Sequence, residues 1–405
     1  MRVIVDRQVV DAIVARLSER DRELGEDARA AVEWLTGFDG DEVPAAFSRR
    51  ELQLFLWYQL PRKWLIRPAE QLAVAEALAC FFDQAGVEAA PLAALCRSKQ
   101  TAEMIRTHGK NLAAALERSG LEPSDTPLLA WSAFMSIEES LEYDLVAARL
   151  EDAVDAGELV PGAKSWRQRQ TELVGQYLTT ADESGTVPLA RIHAARRRNW
   201  LDLPGRGPDE RALLEQALTA IDASATSAAD ATDAIEPLLW LLDELARAVK
   251  LTQTGALPRA LVRAAVERYP DWWDTATVGP PYQEADLYPV GVLHDLVDQL
   301  KLARRQRLTL QLTPKGRALR TDPQNLLGEV ATAIASDMTA DLDLALARLL
   351  VDDRHEIEWN VFGLLAPFNG IAIEHRTPTA VTRGGRALAA AILNARAHGA
   401  RATIG

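Results

Sequence analysis

Cysteine is nearly absent: Cys80 and Cys96 are the two that 405 residues contain. That excludes a disulfide framework and a cysteine-rich zinc site. Both lie in Ala/Leu-rich stretches that read as helix, where a thiol acts as a small buried apolar group of a reducing compartment. Histidine is scarce too. The six, His108, His193, His294, His355, His375 and His398, are scattered and stand beside no cysteine pair, so no metal and no cofactor are expected. The nearest approach to a zinc-protease helix is HEIEW at 355–359, where Trp359 occupies the place of the second histidine of HExxH. No GxxxxGK[ST] phosphate loop, GxGxxG turn or GxSxG elbow occurs. These absences make a non-catalytic protein the expectation.

Long apolar runs are missing as well. The longest, such as 237–242, fall far short of a membrane span. The opening MRVIVDRQVVDAIVARLSERD has charges every few residues and no apolar core of signal-peptide length. A cytoplasmic protein with no membrane partner is expected. Basic charge is in deficit, with 45 Lys and Arg against 58 Asp and Glu and a net charge of −13. A chain built to coat nucleic acid or anionic lipid would carry the opposite sign, so binding of that kind needs a local basic patch. What remains, 48% apolar and 25% charged residues, is ordinary for a globular chain long enough for two or three domains.

The first half reads as helices almost throughout. Val9, Ile13 and Leu17 recur at helical spacing, and a second short helix covers about 26–35. Ser48 suits an N-cap, with Glu51 three residues on in the capping-box position, for a helix that should end near Pro61. Within it FLWYQLPRKW is dense in aromatics. Phe55, Trp57, Tyr58 and Trp64 could anchor a core corner, or Arg62 and Lys63 could bind an anion or base over them; aromatic clusters usually pack, which favours the core. Further helices are expected at 69–84, 90–116, 128–157 and 165–178. The helix at 128–157 carries Glu138, Glu139, Glu142, Asp144, Glu151, Asp152 and Asp155, but no histidine for a carboxylate metal site, so a solvated acidic face is expected. Arg191, Arg196, Arg197 and Arg198 form a basic cluster that could hold phosphates but is expected to pair with that acidic helix. At 219–233 the composition collapses to Ala, Thr, Ser and Asp, which marks a domain break near residue 230.

The most specific stretch is 251–320. LTQTG turns the chain, Pro258 suits the first turn of RALVRAAVERY, and Pro280 and Pro281 form a loop. A helix at about 286–300 follows. Alternating Leu308, Leu310 and Leu312 then lead into TPKGRAL. The stretch also repeats. A shift of 69 residues sets Thr313, Gly316, Arg317, Ala318 and Leu319 on Thr382, Gly385, Arg386, Ala387 and Leu388; without gaps Val292 meets Val361, Leu296 meets Leu365, Leu302 meets Ile371 and Arg307 meets Arg376. A second, degenerate copy is read at 326–397.

LTLQLTPKGRAL resembles the wing and following helix of winged-helix proteins of the transcription-regulator kind. The whole chain also resembles a group of uncharacterised actinobacterial proteins, through FLWYQLPRKW and through LTQTGALPRALV with the wing; that group implies no activity. The expected fold is mainly α: the helical periodicity gives a helical N-terminal domain at 1–230, and the resemblance implies tandem winged-helix-like units with short β-hairpins at 235–322 and 326–397 after it. It also implies that 286–300 is the recognition helix. Its polar residues, Asp286, His294, Asp295, Asp298 and Gln299, would set three aspartates against phosphates. The wing differs: Lys301, Arg304, Arg305, Arg307, Lys315, Arg317 and Arg320 fall within 301–320, which holds no acid. In the second copy Arg304 and Arg305 become Ile373 and Glu374, so that wing lacks charge. Two partners remain open: nucleic-acid phosphates at the first wing, or a protein bound by structural winged-helix units.

Overall fold

Helical periodicity becomes helix along most of the chain. In the computed structural model, which describes residues 3–37, 45–224, 226–273, 278–352, 356–374 and 377–400, the protein is mainly α with short antiparallel strand pairs. Two compact units are present. The first comprises Met1–Trp131 with Ile137–Ile192, and the second Ser132–Ser136 with His193–Gly405. The division thus falls within the helix Pro188–Leu201, upstream of residue 230. The Ala/Thr/Ser/Asp stretch is no linker: 228–234 is a helix whose Ala231 and Ala234 lie in the core of the second unit. Low complexity here reflects close packing. A Cβ on Gly384 would lie 2.5 Å from the carbonyl oxygen of Asp233, so only small residues fit where these helices meet.

The first unit is not all helix. A strand, β1 (Val3–Val5), pairs antiparallel with β2 (Ala45–Phe47), Val3 opposite Phe47, and Val3 and Val5 face inward. Three residues are too few for a legible alternation. Ser48 caps the helix Arg49–Leu54 by accepting from the Glu51 N–H at 3.1 Å. The helical path then widens into a π-turn at Phe55–Gln59 and continues through Leu60–Lys63, past the expected stop at Pro61, because that proline sits in the first turn of the new segment, where no donor is needed. Phe55 and Trp57 are buried, and the Trp57 indole donates to Thr101 Oγ1 at 3.0 Å. FLWYQLPRKW is core. Cys96 is buried too, which pushes its thiol pKa up.

The acidic helix Ile137–Asp155 is a solvated face only in part: Glu138, Asp144, Asp152 and Asp155 are exposed. Glu139, Glu142 and Glu151 are all buried. Glu151 accepts from the backbone N–H of Arg49 at 2.8 Å, and Glu142 accepts from Arg191 Nε at 2.6 Å and from the Tyr177 hydroxyl at 3.2 Å. Arg191 does pair with the acidic helix; Arg197 instead meets Asp222 at 2.6 Å, and Arg196 donates to the His398 carbonyl at 2.9 Å.

In the second unit two similar substructures follow each other. The earlier one has the strand β3 (Val249–Lys250), the helices Arg259–Arg268 and Tyr288–Gln299, the hairpin β4 (Ala303–Gln306) and β5 (Thr309–Leu312), and the short helix Pro314–Leu319. The sheet order is β3–β5–β4, all antiparallel. The later one has the helix Trp359–Leu365, the hairpin β6 (Ile371–Glu374) and β7 (Thr377–Val381), and the helix Arg383–His398.

Paired hydrogen bonds fix how the copies correspond. Thr313 Oγ1 caps Gly316 N at 3.0 Å and reaches back to the Lys301 carbonyl at 2.8 Å; Thr382 Oγ1 caps Gly385 N at 3.0 Å and reaches the Asn369 carbonyl at 3.0 Å. The Thr313 N–H donates to Leu302 O and the Thr382 N–H to Gly370 O, both at 2.9 Å. Leu302 therefore corresponds to Gly370, not Ile371: the shift is 68 before the hairpin and 69 after it. A register shift between Ala372 and Ile373 absorbs the extra residue. Leu293 and Val297 thereby align with Val361 and Leu365, all four buried. Arg304 and Arg305 align with Ala372 and Ile373, so both charges are still lost. Arg376 lies outside the described residues.

Gly316 and Gly385 do the same work. A Cβ would stand 1.9 Å from Leu302 O in one copy and 2.1 Å from Gly370 O in the other. Alanine normally gains about 1 kcal/mol over glycine inside a helix, but the obstacle here is backbone that cannot swing aside. Sterics win: Gly316→Ala is expected to lower stability by about 3 kcal/mol. A lower urea midpoint at unchanged slope would show it, and an unchanged or raised midpoint would refute the close approach.

Candidate functional site: a basic hairpin and an aromatic groove

β4 carries the chemistry that its sequence promises: Ala303 is buried and Arg304, Arg305 and Gln306 are exposed, with Arg305 on the face of Ala303, opposite Leu310. Register sets Arg304 opposite Gln311, and Gln306 opposite Thr309, whose other neighbour is Lys250. One face of the sheet is thus polar and cationic, while Val249, Leu310 and Leu312 lie on the other. Arg307 sits in the two-residue turn at φ 57° and Lys301 ends the preceding helix at φ 55°. Both hold the left-handed conformation that costs a non-glycine residue about 1–2 kcal/mol. The Arg305 guanidinium donates to the Arg307 carbonyl at 2.7 Å and lies against Gly255.

The seven cations expected of the wing do not act as one patch. Lys301, Arg304, Arg305 and Arg307 are exposed, and no ion pair with a described residue engages them. Lys315 is paired with Glu329 at 3.0 Å, and Arg320 with Asp243 at 3.2 Å. Arg317 is exposed but donates to the Leu312 carbonyl at 2.9 Å. An acid-free sequence window does not make an acid-free surface, since Asp243 and Glu329 arrive from other helices. Lys250, which sequence reasoning passed over, joins the exposed face through β3.

The helix Tyr288–Gln299 buries Pro289, Val290, Leu293, Leu296 and Val297. Its Asp295, Asp298 and Gln299 are exposed, and Asp286 precedes it. His294, almost fully buried, meets Glu284 at 2.7 Å, and Glu284 also accepts the Leu257 N–H. The hydrogen bond to Glu284 raises the pKa of His294; burial opposes this, and the charges of Asp298 and Asp295 support it. A raised folded pKa means that the stabilisation is fully present below about pH 6.5, the unfolded value, and is lost as pH rises through the folded one. The stability gap between the wild type and His294→Gln is therefore expected to narrow as pH climbs through that window. Parallel pH profiles for the two proteins would rule the pair out as a source of pH dependence.

The exposed side of the same helix does not face open solvent alone. Tyr288, Val292, Asp295 and Gln299 line a cavity of about 530 Å³ with Ile334, Asp337, Leu342 and Trp359. It adjoins a larger one of about 790 Å³, with which it shares Tyr288, Trp359 and Gly363. The larger cavity is walled by Tyr269, Trp272 and Phe362, with Ile371, Ala372 and Ile373 of β6 along it. Tyr269 stacks on Trp272 at 4.3 Å, and Trp359 on Phe362 at 5.3 Å. Trp359, the residue that spoils HExxH, is 82% exposed; His355 lies outside the described residues. No cluster of three or more metal-ligating side chains occurs among the described residues, and no helix there is long and apolar enough to cross a membrane.

Residues 237–325 match the family model of the Y4jL N-terminal domain. The match spans under a quarter of the chain. It takes in β3, the helix Tyr288–Gln299, the whole of β4–β5 and every cation from Lys301 to Arg320. The Y4jL-like segment contributes Tyr269, Trp272 and Tyr288 to the aromatic groove, whereas Trp359, Phe362 and β6 lie beyond it. No curated protein and no solved structure matches the chain.

Proposed function

We propose that this is a non-catalytic regulatory protein whose second unit carries two winged-helix-like modules, and that the first grips nucleic-acid phosphates with its wing. Supporting the module reading are the order strand, helix, helix, hairpin, helix, the β3–β5–β4 sheet, and the threonine cap and glycine close approach that recur in both copies. The phosphate reading rests on one observation: Lys301, Arg304, Arg305 and Arg307, with Lys250 beside them, stand exposed at one hairpin without an ion pair to any described residue, in a chain of net charge −13. Guanidinium groups on a hairpin reach phosphate oxygens and carry no base code. The helix beside them, with its aspartates, is unfit to enter a groove lined by phosphates. Binding is therefore backbone-directed and indifferent to sequence.

The test is binding of the full chain to two labelled duplex DNAs of unrelated sequence as salt is raised from about 50 to 200 mM. Equal affinities that fall steeply with salt support the reading, and no binding at the low end removes it. A second reading, in which the units bind a protein, is favoured by one feature: the exposed face of the helix Tyr288–Gln299 lines an aromatic groove instead of standing clear.

A further inference from the structure

We propose that the groove joining the two cavities binds an extended, basic segment of a partner protein; this builds on the protein-binding reading just given. Five aromatic side chains from distant parts of the second unit converge on the larger cavity: Tyr269, Trp272, Tyr288, Trp359 and Phe362. Tyr288 and Trp359 are 61% and 82% exposed. Aromatic surface held open in this way costs hydration free energy, and it marks an interaction site more often than an accident of packing. At about 790 Å³ the cavity falls within the size range of pockets that bury a ligand.

Charge selects the occupant. Asp271 lines the larger cavity, and Asp295 and Asp337 line the smaller; none of the three forms an ion pair with a described residue. Among the described residues the single cation in either lining, Arg268, is neutralised by Glu236. As far as those residues form it, the groove thus offers carboxylates and aromatic faces and no free positive charge. Both attract cations, the carboxylates by Coulomb interaction and the rings through their quadrupoles. Lysine or arginine spaced by an apolar residue fits; an acidic segment or a phosphate does not.

The backbone points to an extended chain in place of a compact small molecule. Three successive residues of β6, Ile371, Ala372 and Ile373, line the cavity. Side chains alternate along a strand, so three in a row place the strand edge there and not one face. Among the described residues β6 pairs with β7 alone, leaving its other edge without a strand. A peptide laid along that edge gains main-chain hydrogen bonds and drops alternate side chains towards the aromatics.

The experiment is to pan a phage-displayed random dodecapeptide library on the full chain, then to measure the selected peptides by fluorescence polarisation. The expected result is enrichment of Lys or Arg spaced by apolar residues, with affinity that falls as salt rises. Roughly tenfold weaker binding is expected for Trp359→Ala, and separately for Asp271→Asn/Asp295→Asn/Asp337→Asn, which leaves the aromatic wall in place. Peptides that bind both variants as well as the wild type would overturn the groove as the site while leaving a protein-binding role intact. No enrichment, or enrichment of acidic sequences, would overturn the proposal, and the former would take the protein-binding reading with it. Arg304→Ala/Arg305→Ala/Arg307→Ala should retain full peptide affinity; its loss there would move the site to the wing.

Discussion

Asp343→Ala is expected to destabilise the second unit by about 4 kcal/mol, a large share of the roughly 5–15 kcal/mol that holds a domain folded. The carboxylate is wholly buried and takes four hydrogen bonds: from Arg206 at 2.8 Å, from Arg396 Nε and a terminal nitrogen at 2.9 and 3.1 Å, and from the Trp200 indole at 3.2 Å. Arg206 is itself almost fully buried and lies 4.6 Å over the Trp200 ring. Burial already pulls its pKa down, and the charge of Asp343 is the main force holding it up. Without that carboxylate a guanidinium remains in the interior with no counter-ion. The penalty belongs to the stranded charge more than to the lost bonds, which yields a sharper expectation. Removing Asp343 together with its more deeply buried partner, in Asp343→Leu/Arg206→Met, should cost less than Asp343→Ala alone, because the charge left behind, Arg396, is partly exposed to water and keeps its bond to the Ala335 carbonyl. Urea transitions of the three proteins decide it. A double variant less stable than the single one would mean that the pair contributes net stability instead of repaying its own desolvation.

Legibility in the sequence followed locality. The Thr–x–x–Gly signal repeated visibly because the cap acts within four residues, Thr313 with Gly316 and Thr382 with Gly385; the close approach that demands each glycine, to Leu302 and Gly370, was not legible. The one-residue offset between the copies was not legible, since the extra residue, Thr379 of β7 opposite the Ala372–Ile373 step, enters without disturbing the apolar pattern on either side. Charge was misread for the same reason in opposite directions. Lys315 and Arg320 read as free, yet their acids stand 14 and 77 residues away in the chain. Glu142 and Glu151 read as solvated, yet each is buried and fully engaged by groups from other helices. The groove could not be read at all. Its aromatics come from 269–272, 288 and 359–362, and nothing in the spacing of those stretches says that they meet. The one hint was Trp359, a large aromatic amid the polar run of RHEIEWN.

Replacing Arg304, Arg305 and Arg307 together by alanine is expected to weaken duplex binding about a hundredfold at low salt, taking roughly 1 kcal/mol for each lost phosphate contact. If Lys250, Lys301 and the three arginines each displace one counter-ion, log affinity should fall against log salt with a slope of about −4.5, and with about −1.8 once three are gone. The slope is the decisive readout, because misfolding would remove binding without leaving a shallower line. All three arginines are exposed, so fold is expected to survive. Arg307 supplies an internal control. Held at φ 57°, it sits where glycine is preferred, so Arg307→Gly should raise stability while still removing one phosphate contact. Stability and binding moving in opposite directions is the signature of a residue kept strained for its charge. Should Arg307→Gly stabilise the chain and leave the salt slope untouched, the turn cation takes no part in binding, and the grip reduces to the strand residues Lys250, Arg304 and Arg305 with Lys301.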